Sequence, residues 1–129
     1  MTIADLCLPL MLLLTIGAVA PAKVAGRREY DNARPRDPRF YADGFRQRSL
    51  WAHQNSYESL PFFFAAVILA EMRGMPQGTV DVLAVGFVVA RAGYIAAYMA
   101  DRPTLRSAVW AVALACNLAL FFLPAFAHG

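Results

Sequence analysis

Apolar positions along this chain gather into four long runs separated by short polar breaks. Ile3 to Ala22 is interrupted only by Asp5, and Val80 to Ala100 carries Arg91 near its middle. Ser107 to Ala127 is almost wholly apolar. Leu60 to Met72 is a 13-residue run that an amphipathic stretch from Phe45 extends backward. A helix needs about 20 mostly apolar residues to cross a bilayer. The pattern therefore predicts helices over 3–22, 45–72, 79–100 and 107–127, with loops at 23–44, 73–79 and 101–106. The fold class expected is an all-α integral membrane four-helix bundle, a single domain over 1–129.

Composition and charge sharpen that reading. Hydrophobic residues make up 59% of the chain and charged residues 16%, against about 45–50% and 25% in soluble domains. Twelve of the 21 charges lie between Lys23 and Arg48. Outside that segment the chain has too few polar groups to cover the surface of a small soluble domain. The basic residues of the segment are interleaved with Glu29, Asp31, Asp37 and Asp43. A loop beside a membrane is the better reading than a nucleic-acid patch, and no nucleic-acid partner is expected.

Four spans put both termini on one side. The first loop, taken as 23–48, has eight Lys/Arg, and Arg102 and Arg106 lie in the third; the second has only Arg73. Ten against one predicts cytoplasmic first and third loops and both termini outside. Ala18-Val19-Ala20 resembles a signal-peptide cleavage site. No Lys or Arg precedes the first run, however, and Asp5 sits where positive charge belongs, so a retained helix is expected. Small size and the lack of targeting segments favour a bacterial inner membrane. Gly17, Gly86 and Gly93 suit close helix packing, and Pro9 and Pro61 are expected to bend their helices. Cys7 and Cys116 read as buried apolar residues. With two histidines and no ligand spacing, no metal site is expected.

Chemistry gathers on the second and third helices. Arg48, Trp51, Asn55 and Glu58, spaced 3, 4 and 3, fall within an arc of about 80° on one helical face. Arg91, Tyr94, Tyr98 and Arg102 form a second stripe. A central arginine in a span costs roughly 2.5–3.5 kcal/mol, so Arg91 requires a partner, and Glu58 is the acidic candidate. A Glu58–Arg91 pair is predicted, as readily a structural clamp as a catalytic device. Arg106 and Ser107 open the fourth helix. Alone, Arg106 is a positive-inside anchor. With Arg48, Asn55, Tyr94 and Tyr98 at the same depth it lines a cationic cleft that suits a small anionic ligand beside a lipophilic one.

The segment Ala52-His53-Gln54-Asn55-Ser56-Tyr57-Glu58-Ser59-Leu60-Pro61-Phe62 resembles the helix-two signature of the MAPEG family, membrane-associated proteins of eicosanoid and glutathione metabolism. The stretch from Arg91 through Tyr94 and Tyr98 to Arg106-Ser107 resembles that family's helix-three to helix-four signature. The resemblance covers nearly the whole chain. It implies a homotrimer in contact with membrane lipids, with glutathione as cosubstrate between subunits near the cytoplasmic face and a lipophilic small-molecule substrate. It places Asn55, Glu58, Tyr94 and Tyr98 on the polar backbone of glutathione and Arg48 on a carboxylate. Arg106, followed by Ser107, would stabilise the thiolate as the catalytic pair. Trp51 and Gln54 depart from the pattern by standing where arginines occur in enzymatic members, and Arg27 and Arg28 are weak candidates for a further ligand arginine. Two functions follow: a glutathione-dependent transferase or peroxidase acting on lipophilic electrophiles, or a non-catalytic lipid-binding or accessory membrane subunit. A small proton-coupled transporter using Glu58 is a third class, weakened by the cation at Arg91.

Overall fold

A computed structural model describes residues 1–126; the expected end of the fourth span at Ala127, and His128 beyond it, lie outside the described residues. All regular secondary structure among the described residues is helical: α1 (Ile3–Gly17), α2 (Ala20–Ala25), α3 (Gly44–Met72), α4 (Gln77–Met99) and α5 (Pro103–Phe126). Three stretches are long and apolar enough to cross a membrane: Ile3–Ala25, Gln77–Met99 and Pro103–Phe126. The remaining helix, α3, is the one that begins as a charged amphipathic stretch and turns apolar only from Leu60. The protein is an all-α membrane bundle.

The first run is broken where a single helix was expected. Pro21, in the first turn of α2, has no N–H to return to the carbonyl of Gly17, and its ring crowds that carbonyl. The helix stops at Gly17 and restarts at Ala20. Pro9 and Pro61 instead lie inside continuous helices. The last helix begins at Pro103 rather than Ser107, because proline suits the first helical position. The turn before it is fixed by Asp101 in the left-handed region (φ 55°), with the amide of Arg102 returning to the carbonyl of Ala97 at 2.9 Å. Gly74 (φ 71°) closes α3 in the same way, and Met75 donates to the carbonyl of Ala70 at 3.1 Å.

The helices run up and down. At the end that holds the N-terminus, Thr2 Oγ1 donates to Glu71 at 3.0 Å, and Asp81 accepts from the amide of Ala4 at 2.9 Å. At the other end, Ser49 Oγ donates to the carbonyl of Ala18 at 2.7 Å, tying the break in the first run to α3. The core between them is aromatic and small. Phe63 and Phe87 stack with centroids 4.1 Å apart and planes 8° from parallel, surrounded by Ala66, Val67, Ala84 and Leu120. Gly86 lets α5 approach closely, since a Cβ there would lie 3.2 Å from Cys116 Sγ. Gly17 meets open space and packs nothing, contrary to expectation.

The charged loop folds back on itself. Phe40 and Tyr41 bury against Ala22, and Tyr41 donates to the carbonyl of Pro35 at 3.1 Å. Arg46 is the clasp: it pairs with Glu29 at 2.7 Å and Asp43 at 3.2 Å and lies over the Phe40 ring at 4.8 Å. Arg46 holds the Glu29 carboxyl below its ordinary value of 4.5, chiefly through the hydrogen bond. A depressed carboxyl contributes stability that is complete above the unfolded value and lost as pH falls through the folded one. Limited pepsin digestion should cut the loop faster as pH falls below 4.5, and Glu29→Gln should reduce that dependence. In the core, Phe63→Ala should cost about 3–5 kcal/mol, read from detergent unfolding midpoints.

Candidate functional site

Small and hydroxylated residues let α3 sit close to its neighbours. Ser49, Ala52, Ser56 and Leu60 are buried at spacings of 3, 4 and 4, one stripe of a helix. Asp43 caps the helix by accepting from the amide of Arg46 at 2.9 Å. His53 extends from its flank to the carbonyl of Thr15, with Nδ1 2.7 Å away. On α4 the stripe Arg91, Tyr94 and Tyr98 faces α3 and α5.

Arg91 is the largest fully buried side chain, 2% exposed. Its Nη2 donates to Asn55 Oδ1 at 3.0 Å and to Ser56 Oγ at 2.9 Å, and its guanidinium lies over the Tyr94 ring at 4.1 Å. The predicted Glu58–Arg91 pair is not formed. Among the described residues no carboxylate is ion-paired with Arg91. The reason is helical geometry. Glu58 lies two residues, about 200°, from Ser56, so it points away from the face that meets α4 and is exposed. Neutral oxygens replace it, which avoids burying a carboxylate alongside the cation. Ser56 carries no charge that would mark it as a partner for a buried cation. Its signal was its place in the buried stripe.

From Arg91 the site continues towards the end of the bundle that carries the charged loop. Tyr94 and Tyr98 meet edge to face at 5.6 Å, and Arg106 lies over Tyr98 at 4.5 Å. Trp51 approaches the same ring at 6.4 Å. Arg48 Nη2 reaches the carbonyl of Met99 at 3.5 Å, at the C-terminus of α4, where the helix dipole favours a cation. Arg106 sits in the first turn of α5, half-buried, and Ser107 beside it is exposed. The structure thus brings together Asn55, Arg91, Tyr94, Tyr98 and Arg106, with Arg48 and Trp51 at the edge.

Glu58 belongs to a different recess. It lines a groove of about 940 Å³ between the first run, the charged loop and α3, with Lys23, Arg36, His53, Gln54 and Tyr57. The chain therefore presents two polar surfaces, on either side of α3. One is cationic and hydroxyl-rich, around Tyr98 and Arg106; the other is mixed in charge, around Glu58.

Residues 3–126 match the MAPEG family model. The chain belongs to the MAPEG family. No curated protein and no solved structure matches it. MAPEG membership joins the chain to a group that includes glutathione transferases and related proteins, and it fits the three apolar spans.

The clamp on Arg91 is testable against the ion pair it replaces. Asn55→Leu with Ser56→Ala should destabilise the MAPEG bundle by about 3–5 kcal/mol by leaving a buried cation without acceptors. Glu58→Gln should change stability by no more than about 0.5 kcal/mol. Thermal midpoints in one detergent check both.

Proposed function

We propose that this MAPEG protein is a membrane-bound glutathione-dependent transferase or peroxidase acting on lipophilic electrophiles. The observation that carries the reading is Arg106 stacked on Tyr98, in line with Tyr94 and the Arg91–Asn55 clamp. A free thiol has a pKa of about 8.5 and reacts as the thiolate. A guanidinium that keeps its proton favours the charged sulfur, and its place in the first turn of α5 adds the partial positive charge of a helix N-terminus. Tyr94 and Tyr98 supply hydroxyls, and Ser107 a further one, for the polar backbone of glutathione. Arg48 holds a carboxylate. The sulfur attacks an electrophilic carbon arriving from the bilayer: a C–S bond forms and the leaving group departs with its electron pair. In the peroxidase counterpart the thiolate attacks the terminal oxygen of a lipid hydroperoxide: an S–O bond forms, the O–O bond breaks, the alkoxide leaves and takes up a proton as the alcohol, and a second glutathione converts the sulfenic acid to the disulfide with loss of water.

Glu58 joins this site through assembly. In a homotrimer, the cationic surface of one subunit and the Glu58 groove of the next combine into one cleft for glutathione, with Lys23 and Arg36 at its rim. The excess of Lys and Arg in the first and third loops favours a cytoplasmic face for that cleft, with both termini outside. A second reading has one specific support. Trp51 lies against Tyr98 and is 43% exposed, and both it and Gln54 leave the cleft with less positive charge than an enzyme of this family carries. That favours a non-catalytic, lipid-binding or accessory subunit.

Calorimetric titration of the purified protein in detergent separates the two. The enzyme reading expects saturable glutathione binding at or below millimolar concentration. It also expects Arg106→Ala to lower conjugation of a lipophilic electrophile by about 100-fold. Absence of saturable binding overturns it in favour of the accessory subunit. Binding with undiminished activity in Arg106→Ala overturns the role given to that arginine.

A further inference from the structure

A second recess lies deeper in the membrane than the glutathione cleft. A pocket of about 330 Å³ opens between α3, α4 and α5, with Phe62, Phe87, Trp110 and Phe121 among its walls. Phe62 and Trp110 are 63% and 44% exposed and form its mouth. Besides Ser59, whose hydroxyl donates to the carbonyl of Ser56 at 2.8 Å, two polar side chains interrupt the apolar lining, Arg91 and Asn117. Both are more than nine-tenths buried, at 2% and 7% exposure. Arg91 uses only Nη2 on protein acceptors, and its Nε has no partner; Asn117 Oδ1 has none either. Each residue lies close to the midpoint of its helix. Polar atoms buried without partners are rare in folded proteins, and here two of them share one pocket wall.

The chemistry of that wall selects its ligand. A guanidinium only donates, and an amide can turn to present either its N–H or its oxygen. Arg91 Nε therefore calls for an acceptor oxygen, and Asn117 serves the same ligand once its amide turns its N–H inward. Four aromatic side chains favour a flat ring. A pocket of this size lies at the lower end of small-molecule sites and suits a ring with small substituents rather than a whole lipid. A carboxylate would have to shed its water to reach this depth, whereas a neutral lipophile already resides there. We propose that the pocket binds a neutral lipophile with carbonyl oxygens on a flat ring, a quinone-type head group, whose tail leaves into the bilayer past Phe62 and Trp110. The pocket shares Arg91 with the line of residues above it and takes nothing from Tyr94, Tyr98 or Arg106. Asn117 lies eleven residues beyond Arg106, about 16 Å along α5.

Trp110 reports on occupancy. In a Trp51→Phe background in phosphatidylcholine nanodiscs, decylubiquinone should quench the remaining tryptophan saturably. Asn117→Leu should raise the half-saturating concentration about tenfold, the effect of one lost hydrogen bond. That variant removes an unpartnered buried amide and is expected to fold, with helicity checked by circular dichroism. Decanol, which keeps the tail but lacks the ring carbonyls, should fail to displace the quinone, a readout that needs no variant at Asn117. Four results would each overturn the proposal: quenching that rises linearly without saturation, displacement by decanol, equal or better displacement by dodecanoate, or a folded Asn117→Leu protein that binds as before. The first would place the probe in bulk lipid or show the pocket covered by a second copy of the chain.

Discussion

A guanidinium near the middle of a membrane span must find acceptors within the protein, because lipid offers none. Arg91 finds two on α3, the amide oxygen of Asn55 and the hydroxyl of Ser56, and rests on the ring of Tyr94. Those contacts fix the rotation of α3 against α4. They also dictate which faces the two helices leave for chemistry. The neutral acceptors hold the cation without adding a second buried charge, and Glu58 is left at the surface.

That arrangement separates two functions that the sequence appears to merge. Asn55 is structural first, since its oxygen is engaged by Arg91. The residues suited to a small anion are then Tyr94, Tyr98 and Arg106, joined ring to ring and cation to ring. Glu58, with Gln54 and His53, lines the groove on the far side of α3. A ligand touching both sets needs more than one subunit, which gives the proposed trimer a chemical purpose. The depth of Arg91 also explains the polar atoms in the aromatic pocket below the cleft, where the guanidinium leaves Nε unpartnered.

Much of this was legible in the residues. Three of the four expected spans follow from hydropathy alone, because a bilayer imposes a length and an apolar requirement that short soluble helices do not meet; α3 meets the length but not the apolarity. The tyrosine–arginine stripe of α4 followed from spacing, and the structure keeps it on one side, aligned with Arg106. What spacing could not reveal was how α3 is turned relative to α4. An arc that contains Arg48, Asn55 and Glu58 is wide enough for its two edges to face different neighbours, and Glu58 lies on the wrong edge for Arg91. The break at Pro21 was hidden because Ala18 to Ala22 is as apolar as the rest of the run. The folding of the charged loop around Phe40 and Tyr41 depends on contacts with Ala22 and Arg46 that no local pattern announces.

The central claim is that Arg106, held over Tyr98, makes a bound thiol reactive. The most direct test is the ultraviolet absorbance of the glutathione thiolate, titrated against pH on the protein in detergent. The account predicts that bound glutathione ionises at least about one unit below the 8.5 of a free thiol, and that Arg106→Ala moves the midpoint back towards it. A midpoint equal to that of free glutathione in the unaltered protein would contradict the account.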